Sequence, residues 1–338
     1  MTSPIGSLLT ALACAALCGM SPAAASDRIP PAPSTWSVSK NFGKSDEEAR
    51  QNLSGAACAP TTPPLHACLI VNDQKKFAQT FSIAGTTLEP GKIVRLLDKG
   101  DGDDPDGEAA AYDEGHFYVV GSHGRKRKDW TAHNPSSYAL FRFPLDGNGQ
   151  PIFVGDEKVQ DLARSTRLGE ALKALPPLSA YVDQPLDEGG INIEGLAVRG
   201  ARIYLGLRGP SRDGHAYIVS VNKAAAFTAS AALDARLHPL KLGRHAGIRD
   251  LAVVKNGLLI LSGPVNDQTD AVPSVFLWTD GDEPTKLGEL QLPEATDAKE
   301  LKAETLLVLQ DAADAPLRVL VMFDGPDNGL PTEYVLKR

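Results

Sequence analysis

The chain has 338 residues, a formal net charge of −8 and an isoelectric point near 5.4. This acidic balance argues against a nucleic acid as partner, because phosphate backbones are bound by an excess of Lys and Arg. The length suffices for one large domain, and no low-complexity tract divides it.

The first 25 residues form the first predicted element, a secretory signal peptide. They carry no charged side chain, and the apolar run Leu8–Met20 is followed by Ser21–Ala25, a small-residue pattern typical of cleavage sites. The run is too short to span a membrane. We therefore expect cleavage near Ala25, no membrane span in the mature chain, and a periplasmic or secreted location.

The mature chain is predicted to contain a short arm followed by one domain. Residues 26–50 are polar and rich in Pro, which indicates an N-terminal arm or an edge strand, and residues 51–338 form the single domain. Cys58 and Cys68 are the cysteines that remain after the signal peptide. In an exported chain this pair predicts a disulfide, since no Cys-x-x-Cys motif or cluster of His suggests a metal or redox site.

A pattern of two short strands recurs along the domain and dominates the fold prediction. Its clearest copy consists of Gly190–Val198 and Ile203–Pro210, with an acid in the first strand and an Arg near the end of the second. The equivalent positions in the five copies are Ser54, Glu108, Glu194, Arg249 and Glu304, which lie 54, 86, 55 and 55 residues apart. A near-constant period with several short strands is typical of β-propeller blades.

We therefore predict an all-β fold, a β-propeller of five or six blades, with a sandwich as the alternative for short β repeats. Small residues such as Ala109–Ala111 and Gly195 suit innermost strands that crowd around one axis. The long step of 86 residues contains Asp156–Leu175, whose apolar residues recur at helical spacing before two prolines. One inserted helix, serving as a lid or as a packing element, is predicted over about 156–175.

The motifs of the repeat resemble a known bacterial family, the domain of unknown function 3616. The segments that carry this resemblance are Ile193–Ala197 (IEGLA), Gly206–Pro210 (GLRGP), Gly247–Leu251 (GIRDL) and Phe323–Pro326 (FDGP). The first segment also resembles, more weakly, the esterase-like phytase propellers. The resemblance to the first family implies a propeller and, in many members, export, and it implies no established activity.

The aligned positions also define a candidate ligand site. If the copies superpose, Glu108, Glu194, Arg249 and Glu304 begin the inner strands and meet at one mouth of the channel. Residues that end the following strands are expected beside them, namely Asp73, His123, Arg208 and Asp324.

Two interpretations of these charges stay open. In one, the acids and arginines form an ion-pair ring that holds the blades in register. In the other, the acids Glu108, Glu194 and Glu304 bind Ca²⁺, which takes roughly 6–8 oxygen ligands. Arg208 and Arg249 then hold an anion. Asp73 and Asp324 are the other two candidate ligand-binding residues. The acidic loop Asp101–Glu108 offers a second calcium candidate, although it lacks EF-hand spacing.

Catalytic signals are sparse. No Gly-x-Ser-x-Gly motif is present, and His123 is the candidate general base. The basic run from Arg125 to Lys128 is interpreted as a solvated loop. Two functions are therefore carried forward: an exported hydrolase acting on an anionic ester at the channel mouth, and a non-catalytic propeller that binds a small molecule or a protein. We expect a monomer in either case.

Overall fold

The computed structural model describes Met1 and residues 28–60, 66–125, 134–281, 283–294 and 301–337. Apart from Met1, the predicted signal peptide lies outside the described residues, as do residues 126–128 of the basic run. No helix in the described residues has the length and apolar character needed to cross a bilayer.

The described residues form five antiparallel sheets, each the blade of a propeller, preceded by an arm. The arm contains β1 (Arg28–Ile29) and β2 (Ser37–Val38). Blade 1 contains β3 (Leu53–Ala59), β4 (His66–Asn72), β5 (Phe77–Ala84) and β6 (Thr87–Arg95). Blade 2 contains β7 (Gly107–Asp113), β8 (His116–Gly121), β9 (Leu140–Pro144) and β10 (Ala163–Ser165). Blade 3 contains β11 (Asn192–Arg199), β12 (Arg202–Arg212), β13 (His215–Asn222) and β14 (Arg236–Lys241). Blade 4 contains β15 (Ala246–Val254), β16 (Gly257–Pro264), β17 (Ser274–Trp278) and β18 (Thr285–Leu290), and blade 5 contains β19 (Lys302–Gln310), β20 (Leu317–Asp324) and β21 (Thr332–Leu336).

The first strand of each blade lies at the axis and closes the ring. Strands β3, β7, β11, β15 and β19 each pack against the next, and β19 packs against β3. A Cβ atom added at Gly55 in β3 would lie 2.6 Å from Cα of Ala109 in β7, so the small residues of these strands are required by close approach of the backbones. The predicted all-β propeller is confirmed, and the blade number is five.

The hydrophobic core is divided among the interfaces between blades. Five buried clusters occur in the described residues, and each combines side chains from two neighbouring blades. For example, Ile260 and Trp278 of blade 4 pack against Tyr204 and Ile218 of blade 3. Each blade is therefore stabilised mainly by burial against its two neighbours.

Within the described ranges, three short α-helices accompany the blades: α1 (Glu47–Gln51), α2 (Leu168–Ala174) and α3 (Lys223–Ala226). A helix does occupy the predicted interval 156–175, but it is shorter than predicted. Residues Ala163–Ser165 form strand β10 instead, because the free edge of β9 provides backbone partners for them. Leu168 and Leu172 of α2 are fully buried between blades 2 and 3, so the helix is a packing element.

The arm joins three blades at their outer edges. β1 pairs in parallel with β18 of blade 4, and β2 pairs in parallel with β6 of blade 1. Between them, the amide of Ala32 donates to the carbonyl of Glu333 in blade 5. In blade 1, the predicted disulfide between Cys58 and Cys68 is confirmed, and the two residues lie directly opposite each other on β3 and β4.

Candidate functional site at the channel mouth

Every innermost strand has a β-bulge near its start. In blade 3, for example, the register passes from the pair Ile193–Leu207 to the pair Gly195–Gly206 and leaves one residue of β11 without a partner. The residues located in the five bulges include, in blade order, Ser54, Glu108, Glu194, Arg249 and Glu304. These are the positions aligned from the sequence. Bulges change the direction of a side chain, which explains how strands that pack so closely present large charged groups at one end of the axis.

At this end of the propeller lies a cavity of about 420 Å³, here called the mouth cavity. Most of the residues predicted for the site line it: Asp73, Glu108, Glu194, Arg208, Glu304 and Asp324. Asp106, from the acidic loop Asp101–Glu108, lines it as well, together with polar residues that the sequence did not single out: Asn52, Gln74, Ser122, Asn192 and Lys302. Arg125, from the predicted basic loop, also reaches this wall.

Two arginines neutralise two of the acids in a buried network. Nη1 of Arg208 donates to Oε1 of Glu194 at 2.7 Å. Nε of Arg249 lies 2.9 Å from Oε2 of Glu194, as a contact between charges without hydrogen-bond alignment, and Nη2 of Arg249 donates to Oε1 of Glu304. The side chains of Glu194 and Arg249 are 4 % and 3 % exposed. For these four residues the geometry is that of the ion-pair interpretation.

Glu108 has a different environment from Glu194. Its carboxylate accepts a hydrogen bond from Oγ of Ser54 at 3.2 Å, and no cationic side chain in the described part of the chain forms an ion pair with it. Burial, followed by repulsion from Asp106 and Glu194, raises the pKa of Glu108 well above its usual value. Burial without a cationic partner in the described residues therefore favours the protonated, neutral form of Glu108.

Glu304 is buried like Glu108 but, like Glu194, contacts an arginine. Burial raises its pKa and Arg249 lowers it, while Glu194 and Asp324 raise it further, and the resulting pKa is about 7. The pKa of Asp73 is raised well above its usual value by burial and by the charges of Glu304 and Asp106. One cavity thus contains three carboxyl groups with raised pKa values, Asp73, Glu108 and Glu304, and perturbed pKa values of this kind cluster at catalytic sites.

Each cation that lines the mouth cavity has an acidic partner. Lys302 Nζ lies 3.3 Å from Oδ2 of Asp324, and Arg125 Nη2 lies 3.1 Å from Oδ1 of Asp183. Arg208 pairs with Glu194, so each of the three cationic side chains that line the cavity already has an acidic partner. Six carboxyl groups line the cavity against three cationic side chains, so the cavity is acidic overall.

His123 is not brought to the cavity, although its neighbours Ser122 and Gly124 line the wall. Its backbone adopts a positive φ of 55°, which turns the ring inward, and the side chain is 1 % exposed. Nδ1 contacts the carbonyl of Gly121 at 3.0 Å. Burial lowers the pKa of His123 to about 4, so the ring is neutral at physiological pH. Its predicted role as general base has no support from this position.

The acids do not form an evident metal site. No group of three or more His, Cys, Asp or Glu side chains within the described ranges has the arrangement needed to hold a metal ion. Of the three glutamates predicted to bind Ca²⁺, Glu194 and Glu304 already share the guanidinium of Arg249. Calcium binding therefore stays a prediction. For Glu194 and Glu304, Arg249 fits better as the counter-charge than a metal ion does.

Sequence reasoning missed one buried acid beside the network, Asp250. It follows the bulge residue of β15, is fully buried, and accepts hydrogen bonds from the amides of Leu251 and Leu306, both at 2.7 Å. Burial raises its pKa well above the usual value. Asp250 thereby joins the inner strands of blades 4 and 5. The GIRDL motif contains this residue, but nothing in the pattern distinguishes it from a surface acid.

Comparison with known proteins adds information on fold and family. The α-L-arabinofuranosidase PaAbf62A of Podospora anserina, solved with cellotriose, superposes with a TM-score of 0.51 at 10% identity, over 93% of this chain and 98% of that one. The GH43 β-1,3-galactosidase BT3683, solved with galactodeoxynojirimycin, gives a TM-score of 0.48 at 9% identity, over 90% and 94%. At 10% identity, the likeness to the first of these structures supports the propeller fold alone.

A search of curated protein sequences found no match. The family model described as "Protein of unknown function (DUF3616)" matches residues 155–333, just over half of the chain. The matched range includes all four segments that carry the resemblance, from Ile193–Ala197 to Phe323–Pro326. The chain therefore belongs to the DUF3616 family of proteins of unknown function.

Proposed function

We propose that this protein is a hydrolase that acts on a small, neutral, hydroxyl-rich substrate, such as a glycoside, in the mouth cavity. One observation carries the proposal. Glu108, a buried carboxyl group without a cationic partner in the described residues, faces the same cavity as Glu304, whose pKa is about 7. A buried carboxyl group that favours its protonated form, beside a second carboxyl group that can accept a proton, is the arrangement used for acid–base cleavage of glycosidic bonds.

The charges favour a neutral substrate over the anionic ester expected from the sequence. Arg208, Lys302 and Arg125 are each paired with an acid, so none is left to neutralise an incoming anion. Carboxylate oxygens accept hydrogen bonds, and a molecule with several hydroxyl groups donates them. The excess of carboxyl groups therefore suits a sugar better than a phosphate or a carboxylate ester.

In the proposed reaction, Glu108 acts as the acid and Glu304 as the base. Glu108 donates its proton to the oxygen atom of the bond that breaks, so that the leaving group departs as a neutral alcohol. A water molecule forms the new bond to the acetal carbon, and Glu304 accepts the proton that this water loses. Transfer of a proton from Glu304 to Glu108 through solvent restores the starting state. Glu194, held by two guanidinium groups, positions the surrounding network.

We also propose that the protein acts outside the reducing cytosol. The disulfide between Cys58 and Cys68 supports this location, because such bonds persist mainly in oxidising compartments. The charge-free first 25 residues agree with it.

The test is hydrolysis of a panel of 4-nitrophenyl glycosides with Glu108→Gln. Gln has the shape of the protonated acid but cannot deliver a proton, so kcat should fall by about 100-fold or more. Glu188→Gln is the matched control, because Glu188 is exposed and does not line the mouth cavity. Full activity of Glu108→Gln on a glycoside that the wild type hydrolyses would contradict the proposal.

A second candidate, a non-catalytic binding propeller, is favoured by the ion pairs of Arg208 and Arg249. These contacts give a rigid, pre-formed polar cavity, which suits binding without turnover. Methyl glycosides that bind to the wild type in calorimetry, with no hydrolysis of any panel member, would support this candidate.

A further inference from the structure

A second cavity of about 410 Å³ lies beside the mouth cavity, between blades 4 and 5, and is here called the side cavity. Arg208 and Lys302 line both cavities, so the two are neighbours across a shared wall. The other side-cavity walls are mostly apolar and include Ala271, Val272, Pro273, Leu292, Leu301 and Ala303. A cavity lined by carboxyl groups and a mostly apolar cavity therefore adjoin at one end of the propeller.

Arg249 takes part in both environments. Its guanidinium group contacts the carboxylates of Glu194 and Glu304, while the residue also lines the side cavity. A Cβ atom at Gly263 would lie 3.0 Å from Cγ of Arg249, so the aliphatic stem packs directly on the backbone of β16. Long charged side chains commonly present a stem to apolar surroundings and a charged head to polar ones. The head of Arg249 is thus held by the acids, and its stem belongs to the apolar wall.

One polar atom in the side cavity lacks a partner. Oδ1 of Asn266 is buried, and no hydrogen-bond donor among the described residues reaches it. Buried acceptors are nearly always satisfied in folded proteins, and an unsatisfied one costs free energy. Asn266 lies in the loop after β16. Its backbone N–H donates a hydrogen bond to Oε1 of Gln268 at 2.7 Å, which fixes the loop at this point. Oδ1 of Asn266 can therefore accept a hydrogen bond from a donor group that enters the side cavity.

We propose that the side cavity binds the apolar aglycone of the same ligand whose sugar occupies the mouth cavity, and that Oδ1 of Asn266 accepts a hydrogen bond from a hydroxyl group on that aglycone. The inference rests on the proposed function of the mouth cavity and names its substrate class, a glycoside of a hydroxylated aromatic alcohol. A volume of about 410 Å³ accommodates one such ring, since an apolar cavity of about 150 Å³ already binds benzene.

The first experiment compares the dissociation constants of methyl, phenyl and 4-hydroxyphenyl glycosides of glucose, galactose, xylose and arabinose by calorimetry, with Glu108→Gln used to prevent turnover. For a sugar that binds, the phenyl glycoside should bind about tenfold more tightly than the methyl glycoside, and the 4-hydroxyphenyl glycoside more tightly again. Ala271→Phe, which fills the side cavity, should abolish the phenyl advantage without weakening the methyl glycoside. Asn266→Ala should abolish the additional affinity of the 4-hydroxyphenyl glycoside over the phenyl glycoside, and should leave the advantage of phenyl over methyl unchanged.

Ala313→Phe is the matched control, because Ala313 is exposed on the loop between β19 and β20 and lines neither cavity. Equal affinity of the methyl and phenyl members of a sugar that binds would overturn the inference and leave the mouth proposal standing. A phenyl advantage that persists in Ala271→Phe would overturn it too.

If no glycoside binds, free hydroquinone tests the side cavity by itself in saturation-transfer NMR. Transfer to hydroquinone in the wild type and its loss in Ala271→Phe would support an aryl site while the sugar proposal fails. Absence of transfer, or transfer unchanged in Ala271→Phe, would overturn the inference.

Discussion

Glu194 of blade 3 and Arg249 of blade 4 form a buried contact across the interface between blades, with Nε of Arg249 2.9 Å from Oε2 of Glu194. Because Arg249 also contacts Glu304 of blade 5, one guanidinium group joins three consecutive inner strands. Each of these residues occupies the bulge of its strand. The same local distortion, repeated in each blade, thus converts a packed β-ring into a cluster of charges at one mouth of the channel.

The first prediction concerns the network. Arg249→Ala leaves the carboxylates of Glu194 and Glu304 buried with less counter-charge, and removal of one partner of a buried pair costs about 3–5 kcal/mol. Urea denaturation at neutral pH measures this loss in the free energy of unfolding. Lys286→Ala, which removes an exposed ion pair with Glu289, is the control and should cost about 0–1 kcal/mol. A loss below 1 kcal/mol for Arg249→Ala would show that the network does not stabilise the fold.

The second prediction compares the effects of Glu108→Gln and Glu194→Gln on stability. Burial without a cationic partner favours the neutral form of Glu108, and Gln is a neutral group of the same shape, so Glu108→Gln should change stability by less than about 1 kcal/mol. Glu194→Gln removes a charge that faces two guanidinium groups, and should cost about 3 kcal/mol or more. Melting temperatures of both variants at pH 7 provide the comparison. Equal destabilisation by the two substitutions would contradict the different environments of the two carboxyl groups.

The repeat alignment located the charged cluster because each copy keeps its bulge residue at the same place in the sequence pattern. The five positions from Ser54 to Glu304 are equivalent in the structure as well. Blade number stayed open between five and six, since pattern recognition does not show how the ring closes. The contact of β19 with β3, two strands far apart in the sequence, closes the ring at five blades.

Two local predictions failed in part for reasons that lie in tertiary structure. Residues 163–165 match a helical period, but they pair with the free edge of β9, and this pairing outweighs propensity. His123 follows a strand that leads to the mouth, yet its positive φ turns it into the wall. Neither the sheet edge nor the backbone conformation is visible in a hydrophobic pattern.

The third prediction is a decline in stability as pH rises through neutrality. The pKa of Glu304 is about 7 in the folded protein and near 4.5 in the unfolded chain, so the folded state binds more protons between these values. Stability therefore falls as pH increases over this window, by on the order of 3 kcal/mol for this group. His123, with a pKa of about 4, acts in the opposite direction below pH 6.5, so the effect is clearest above that value. Urea midpoints between pH 6.5 and 8 should fall less steeply for Glu304→Gln, and an identical slope would contradict the assignment.

The fourth prediction tests calcium. Because Arg249 already supplies the counter-charge to Glu194 and Glu304, addition of EDTA should leave the melting temperature unchanged, and addition of Ca²⁺ should not raise it. Differential scanning calorimetry at low ionic strength makes the measurement. A fall of several degrees on chelation, restored by Ca²⁺ and absent in Glu194→Gln, would instead support the calcium interpretation of the acids.

The last prediction concerns Glu333, whose side chain in blade 5 anchors the N-terminal arm. Its carboxylate accepts hydrogen bonds from Oγ of Ser34 at 2.7 Å, Nε1 of Trp36 at 3.0 Å and Nε of Arg318 at 2.6 Å. Burial raises the pKa of Glu333, but these donors outweigh it and hold the pKa below the usual value. The stabilisation is therefore present above the unfolded pKa near 4.5 and is lost as pH falls through the lower folded value.

Replacement of this carboxylate should release the arm without unfolding the blades. Glu333→Ala removes the acceptor of three hydrogen bonds, each worth about 1–3 kcal/mol when a charged group takes part. Amide hydrogen exchange of Ser37 and Ser39, which donate to the carbonyls of Thr86 and Leu88, should accelerate in the variant, while exchange in β12 stays slow. Unchanged protection of Ser37 would show that the short parallel pairings hold the arm by themselves, and acceleration throughout blades 4, 5 and 1 would show that the arm is required for closure of the ring.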